Sequence, residues 1–233
     1  MEYSADAPPG PYKVQPETQG RVLWFTGAPG LGKSTSAQIL ARNHGYVYYE
    51  ADCFGRMKNP YIPLDDENPS MAQIHQKTLR GPGAEERRSL LKRRRQAMND
   101  LMSGGEYDKA VLREFHRELA LDIAREKKRI GGDFAVASFL LTRDVREAVR
   151  EVLGTELTIV SLAMPKEDKM ARLRERHEGD TSSVDIMELV ESLMEPVKEE
   201  EPGSLLVEIS GSMTREQVVN TVRRSLQERA ESL

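Results

Sequence analysis

One cysteine, Cys53, is all the thiol chemistry in this 233-residue chain. A lone cysteine excludes an intrachain disulfide framework and fits a reducing compartment. Aromatic residues are sparse, at 6% with a single tryptophan. No apolar run approaches the roughly 18 residues needed to cross a bilayer. The first residues lack the basic-then-apolar pattern of a secretory signal. Neither sign of charge dominates: 34 Lys and Arg stand against 38 Asp and Glu, a net charge of -4. That balance supplies no overall electrostatic reason to bind nucleic acid. The histidines, His44, His75, His116 and His177, are scattered without metal-ligand spacing, and no internal repeat is evident. These absences lead to the expectation of a cytoplasmic protein with no membrane segment.

What is present is ordinary for a globular chain: 38% hydrophobic and 31% charged residues. The length suits one substantial α/β domain with room for an insertion. Residues 1–20 hold Pro8, Pro9, Pro11 and Pro16 among small and polar residues. Such a composition buries little apolar surface and predicts a disordered, proline-rich arm. From residue 21 to residue 233 the pattern predicts one domain. Short apolar runs at 21–28, 46–52, 134–140, 157–163 and 205–210 read as five strands. Helical patterns at 33–43, 142–153, 165–178 and 214–226 are interleaved with them. Strands alternating with helices imply a parallel sheet covered on both faces. Residues 71–132 break the rhythm with two charge-dense helical stretches, 84–102 and 106–130, separated by Gly104-Gly105. They are expected as a helical insertion between the second and third strands, able to cover a substrate.

The sharpest signal lies between the first strand and the first helix. Gly27, Ala28, Pro29, Gly30, Leu31, Gly32, Lys33 and Ser34, followed by Thr35, fit G-x-x-x-x-G-K-S without a gap. Glycines let backbone N–H groups turn inward around phosphates with no Cβ in the way. Lys33 can reach the β- and γ-phosphates, and the Ser34 hydroxyl can ligand Mg²⁺. The helix that begins here points its positive end at the same anion. An apolar strand before the loop and a helix after it are the context this phosphate-binding loop (P-loop) requires. The alternative is a glycine-rich turn that binds no nucleotide.

Several later segments resemble the gluconate and shikimate kinases. Tyr49-Glu50-Ala51-Asp52 resembles their acidic motif at the end of strand two. Pro63-Leu64-Asp65-Asp66-Glu67-Asn68-Pro69 is similar to a P-L-x-D-acidic segment of gluconate kinases. Residues 137–146 sit where that family carries a C-S-A-L-K-R-x-Y-R-D-like stretch. Ala171-Arg172-Leu173-Arg174-Glu175-Arg176 resembles its E-R-L-x-x-R lid segment, and Leu193-Met194-Glu195-Pro196 with Leu206-Val207-Glu208-Ile209 resembles its ending. The common order covers most of residues 21–226 apart from the insertion. The resemblance implies an α/β P-loop NTPase of the nucleoside-monophosphate-kinase-like kind, with phosphoryl transfer from ATP to a hydroxyl. The departures are Leu141 or Thr142 in place of the family's lysine, Asn68-Pro69 in place of an arginine, and the insertion itself. All three fall on the presumed substrate side.

Phosphoryl transfer needs alignment and charge neutralisation more than covalent chemistry. Lys33 and the loop amides would hold ATP, with Ser34 and Mg²⁺ bridging its terminal phosphates. Asp52, expected at the carboxyl end of its strand, could accept the acceptor's proton or orient Mg²⁺, or could simply cap a helix. Arg172 and Arg176, four apart, share a helix face and could close over ATP; such arginines are otherwise solvated and paired with Glu175 or Glu178. Arg143 and Arg146 could grip an anionic group of the acceptor in two-pronged fashion, or lie on the surface. Asp65 and Asp66 could bind acceptor hydroxyls or serve as plain turn residues beside Pro63 and Pro69.

The basic run at residues 87–95 reads as a solvated amphipathic helix before it reads as a nucleic-acid patch. The expected partners are therefore ATP or ADP and a small-molecule acceptor, with the chain a monomer or homodimer. Rival readings are a nucleoside or nucleotide kinase on the same fold, a nucleotide-binding switch or adaptor, and a kinase of nucleic-acid 5′-hydroxyls. The switch reading lacks an N-K-x-D guanine-specificity motif.

Overall fold

The computed structural model describes residues 20–51, 84–103, 105, 108–177, 188–189 and 191–231. Five strands are present: β1 (Val22–Thr26), β2 (Val47–Glu50), β3 (Phe134–Ala137), β4 (Leu157–Ala163) and β5 (Ser204–Glu208). All pair in parallel, in the order β2-β3-β1-β4-β5. The helices are α1 (Lys33–His44), α2 (Ala84–Met102), α3 (Lys109–Ile130), α4 (Arg143–Leu153), α5 (Lys166–His177) and α6 (Arg215–Glu231). The proline-rich arm expected over residues 1–20 lies outside the described residues except for Gly20.

The central strand explains the layering. Every residue of β1 is buried, and alternate side chains face opposite sides. Val22 and Trp24 join Tyr49, Val136 and Ile159 in a cluster covered by α2, α3 and α4. Leu23 and Phe25 join Val160 and Val207 in a second cluster covered by α1 and α6. A parallel sheet needs both covers, because neither face can be left to water.

The α2–α3 segment is more than an appendage. Leu112, Phe115, Leu119 and Ile123 recur at helical spacing along α3 and are all buried in the first cluster. Each such side chain contributes on the order of 2 kcal/mol of hydrophobic stabilisation. Leu90 and Leu91 bring α2 into the same cluster. α3 also supplies the return from β2 that a parallel neighbour requires. The segment interrupts the strand-helix rhythm in the chain, yet it forms one wall of the core.

Helix starts follow local chemistry. Asp108 caps α3 by accepting from the Val111 N–H at 3.0 Å, and Thr142 caps α4 by accepting from Val145. Except for β4, the observed strands are shorter than the apolar runs that predict them. Gly27 and Ala28 belong to the loop after β1, and Leu140 sits in the loop after β3 although it is fully buried. Conversely, α6 runs five residues past the predicted end, through the good helix formers Gln227-Glu228-Arg229-Ala230-Glu231.

Candidate active site

The P-loop emerges from the carboxyl end of β1, the middle strand, where open α/β sheets bind ligands. Gly27, Gly30 and Gly32 have φ of 127°, 82° and 82°, values L-residues rarely adopt. A Cβ on Gly27 would stand 2.6 Å from the Leu162 carbonyl oxygen, and one on Gly30 would stand 3.0 Å from a Leu173 methyl. The loop is thus wedged between β4 and α5. A Cβ on Gly32 would meet nothing within 4 Å, so the space over the helix start is open. Gly32 caps α1 without a side-chain hydrogen bond, and no acidic residue occupies the first turn. The positive end of α1 therefore faces that space with no carboxylate from its own first turn. This cradle fits a phosphate group.

Lys33 is 8% exposed. Its Nζ donates to the carbonyl oxygens of Gly27 and Ala28 at 2.9 and 2.8 Å and lies 4.2 Å from the centre of the Phe139 ring. Ser34 is exposed and Thr35 half-buried on the same turn. Phe139 belongs to the loop after β3, which is tied to β1 twice: Ser138 N–H donates to the Phe25 carbonyl at 3.2 Å, and Leu140 N–H to Thr26 Oγ1 at 3.0 Å. Thr26 is fully buried, so this bond sets how the two loops sit beside each other. Phe139 was not singled out by its residue type; only proximity identifies it.

His116 of α3 is fully buried against this loop. Its Nδ1 is 2.8 Å from the Leu112 carbonyl and its Nε2 is 3.4 Å from Ser138 Oγ. Burial holds the imidazole down at about 4, despite the Leu112 and Phe139 carbonyls that favour its charged form; the Arg94 cation adds to the burial effect.

Arg146 requires a correction. Expected as a substrate-binding arginine, it is 1% exposed, and its guanidinium forms a two-pronged pair with Glu201 at 2.5 and 2.9 Å. It also donates to the Glu195 and Pro196 carbonyls. Arg150 and Ser204 complete the cluster, Arg150 reaching both Glu201 and Ser204. Burial pushes the Glu201 carboxyl up, but the Arg146 and Arg150 hydrogen bonds outweigh it and bring it to about 2. The group clamps the chain after residue 194 onto α4. Arg143, by contrast, is 61% exposed and pairs with Glu147 along its own helix.

Arg172 also has a different set of partners from those expected. Its Nη2 donates to the Ser210, Gly211 and Met213 carbonyls, while Asp168 accepts from Gly211 N–H at 2.7 Å. Together the two side chains hold the loop after β5 against α5. Asp52, Asp65 and Asp66 lie outside the described residues, as does the side chain of Arg176. An open concavity of about 590 Å³ lies where α2 meets α3, lined by residues including Arg93, Gln96, Asp100 and Lys109; no P-loop residue lines it. Among the described residues no cluster of three or more His, Cys, Asp or Glu could hold a metal ion by itself. A Mg²⁺ held chiefly by phosphates, water and one hydroxyl needs no such cluster. No described helix is long and apolar enough to cross a membrane.

Comparison with known proteins gives the lineage. The sequence pattern of the AAA domain family matches residues 22–195. The Lon protease of Syntrophus aciditrophicus (strain SB) is 26% identical over 182 residues, 71% of this chain and 21% of the protease, so the chain spans about a fifth of that relative. A gluconokinase from Sinorhizobium meliloti 1021 superposes with a TM-score of 0.60 at 15% identity, over 91% of this chain and 94% of its own. A sugar kinase from Janibacter sp. HTCC2649 superposes with a TM-score of 0.58 at 18% identity, over 89% and 95%. At such identities the likeness is one of fold. The chain therefore belongs to the AAA domain family, and its fold is that of the P-loop small-molecule kinases.

Proposed function

We propose that this protein is an ATP-dependent kinase that transfers the γ-phosphoryl group to a hydroxyl of a small polar metabolite, as gluconokinases do. The observation that carries the reading is the phosphate cradle at the end of the central strand, with Lys33 folded into it and the β3 loop bonded beside it. Mg²⁺-bound ATP would supply the transferable phosphoryl group and the metal's charge neutralisation.

The chain's residues would then do the following. The backbone N–H groups of residues 27–35 and the start of α1 hold the donor's phosphates. Lys33 exchanges its bonds to the Gly27 and Ala28 carbonyls for phosphate oxygens and neutralises their charge. Ser34 supplies a hydroxyl to Mg²⁺, with Asp52 as the second protein contact. Glu50, Ala137 and Phe25 are level across β2, β3 and β1, so the chain carrying Asp52 leaves the sheet on the P-loop's edge. From there Asp52 would take the proton of the attacking hydroxyl. Asp65 and Asp66 would bind other acceptor hydroxyls, and exposed Arg143 an anionic substituent. Arg176, one turn beyond Arg172, is the remaining candidate to stabilise the transferring charge, while Arg172 positions the loop after β5.

The test is ADP release with Mg-ATP across sugar acids, sugars, nucleosides and nucleoside monophosphates. Strong stimulation by a sugar or sugar acid supports the reading. Stimulation confined to nucleosides or their monophosphates would move it to a nucleotide-type kinase. Tight ATP binding with no acceptor effect would favour a switch or adaptor.

A further inference from the structure

Among the described residues, His116 is the histidine that the fold places at the carboxyl edge of the sheet beside the P-loop strand. It reaches there from α3, whose apolar stripe faces the sheet. Its position gives the ring nitrogens different work. The Leu112 and Phe139 carbonyls both favour a ring N–H, and a neutral ring has one; the 2.8 Å contact with Leu112 is the stronger, so it makes Nδ1 the protonated nitrogen. In the neutral ring Nε2 then carries a lone pair and no hydrogen. Ser138 Oγ, 3.4 Å away, is the donor in that contact, which is long for an O–H···N bond. Proton direction is therefore set along three groups: His116 donates to Leu112, and Ser138 donates to His116.

The consequence falls on Ser138. A serine hydroxyl has one hydrogen and two lone pairs. With its hydrogen turned inward, its remaining capacity is to accept. Ser138 is half-buried, follows β3 directly, and is bonded through its N–H to Phe25 of β1. Its neighbour Phe139 lies under the Lys33 ammonium. Ser138 thus stands at the junction of β1 and β3, one residue from the group that holds the donor's phosphates.

We infer that Ser138 is an acceptor-binding residue that takes a hydrogen bond from a hydroxyl of the phosphoryl acceptor, and that His116 is the positioning residue that fixes its polarity. The inference rests on the kinase reading and deepens it. It specifies a hydrogen-donating, uncharged group of the acceptor at this point, since an anion would meet only outward lone pairs. Burial keeps the imidazole neutral across the working pH range, so the polarity does not switch. Arg94, whose guanidinium lies over the Phe115 ring next to His116, adds to that effect. His116 touches no reacting atom; it acts through Ser138.

Four variants and one spectrum test this. In Ser138→Ala the KM for the acceptor should rise about tenfold, the size expected for one lost hydrogen bond, with ATP affinity unchanged. Ser138→Thr keeps the hydroxyl and should restore most of it. His116→Phe keeps the ring's shape and burial but removes the lone pair; its acceptor KM should rise similarly. The double variant should be no worse than either single, because both break one chain. An unchanged acceptor KM in Ser138→Ala, in an enzyme that turns over normally, overturns the inference while leaving the kinase reading intact. Wild-type protein with no acceptor-stimulated turnover overturns the kinase reading and this role with it. Nitrogen-15 spectra of the imidazole in unliganded protein supply a readout free of activity. They should show Nδ1 protonated between pH 6 and 8, and protonation on Nε2 instead overturns the polarity argument.

Discussion

Replacing Glu201 with glutamine separates a structural clamp from a substrate site. Glu201 and Arg146 are both buried, at 5% and 1% exposure, and joined by two hydrogen bonds. The amide keeps the volume and one acceptor oxygen but leaves the Arg146 and Arg150 charges without a counterion. Breaking a buried pair in this way costs about 3–5 kcal/mol. The Glu201 carboxyl supplies an independent figure. Its folded value of about 2 lies below the ordinary 4.5, so its stabilisation is complete above pH 4.5 and is lost as pH falls through 2. Each unit is about 1.4 kcal/mol, which makes the full effect roughly 3 kcal/mol. For a chain of this size that lowers the melting temperature by about 10 °C. Differential scanning fluorimetry at pH 7 should show that drop, and the variant's melting temperature should vary less than the wild type's between pH 4.5 and 2. Replacing the pair together, Arg146→Met with Glu201→Leu, should recover part of the loss, because the buried Arg146 charge goes with its partner and only the less buried Arg150 is left without its carboxylate. A Glu201→Gln protein with unchanged melting temperature, or an Arg146→Met protein whose only defect is a raised acceptor KM, would refute the clamp and return Arg146 to the substrate site.

Three further outcomes are expected. Lys33→Ala should abolish phosphoryl transfer while circular dichroism stays that of the wild type; normal turnover would remove the P-loop from the mechanism. Asp52→Asn should lower kcat on the order of 10²-fold or more with ATP affinity nearly unchanged, as a lost general base requires; weakened ATP binding at normal kcat would assign Asp52 another role. His116 is held near 4 against an unfolded value of 6.5, so below pH 6.5 the unfolded chain takes up a proton the folded one refuses. Stability should therefore fall as pH drops, by about 2 kcal/mol at pH 5. Urea midpoints at pH 7 and pH 5 should differ in the wild type and converge in His116→Phe.

The strands, the helices and the phosphate cradle were legible in the residue order because each depends on neighbours a few positions away. Strand β4 and helix α2 match their predicted bounds, since strong turn or breaker residues flank them. Strands β1 and β3 were read too long, because buried loop residues such as Ala28 and Leu140 are as apolar as strand residues. Periodicity records burial, and at the end of a buried strand burial outlasts the ladder. Arg146 was misread for a different reason. An arginine near a helix start has the same local sequence whether it meets substrate or carboxylate, and its partner Glu201 is 55 residues away.

Residue order alone was enough to place a G-x-x-x-x-G-K-S loop between a strand and a helix, because that motif and its flanks are contiguous in the chain. Tertiary structure alone decided which charged and polar groups meet. It buried Arg146 against Glu201, turned Arg172 onto the loop after β5, and brought His116 from α3 to Ser138 after β3. Hydrogen bonds and ion pairs act over about 3 Å, and such distances between residues remote in the chain exist only once the sheet has formed and its helices have packed.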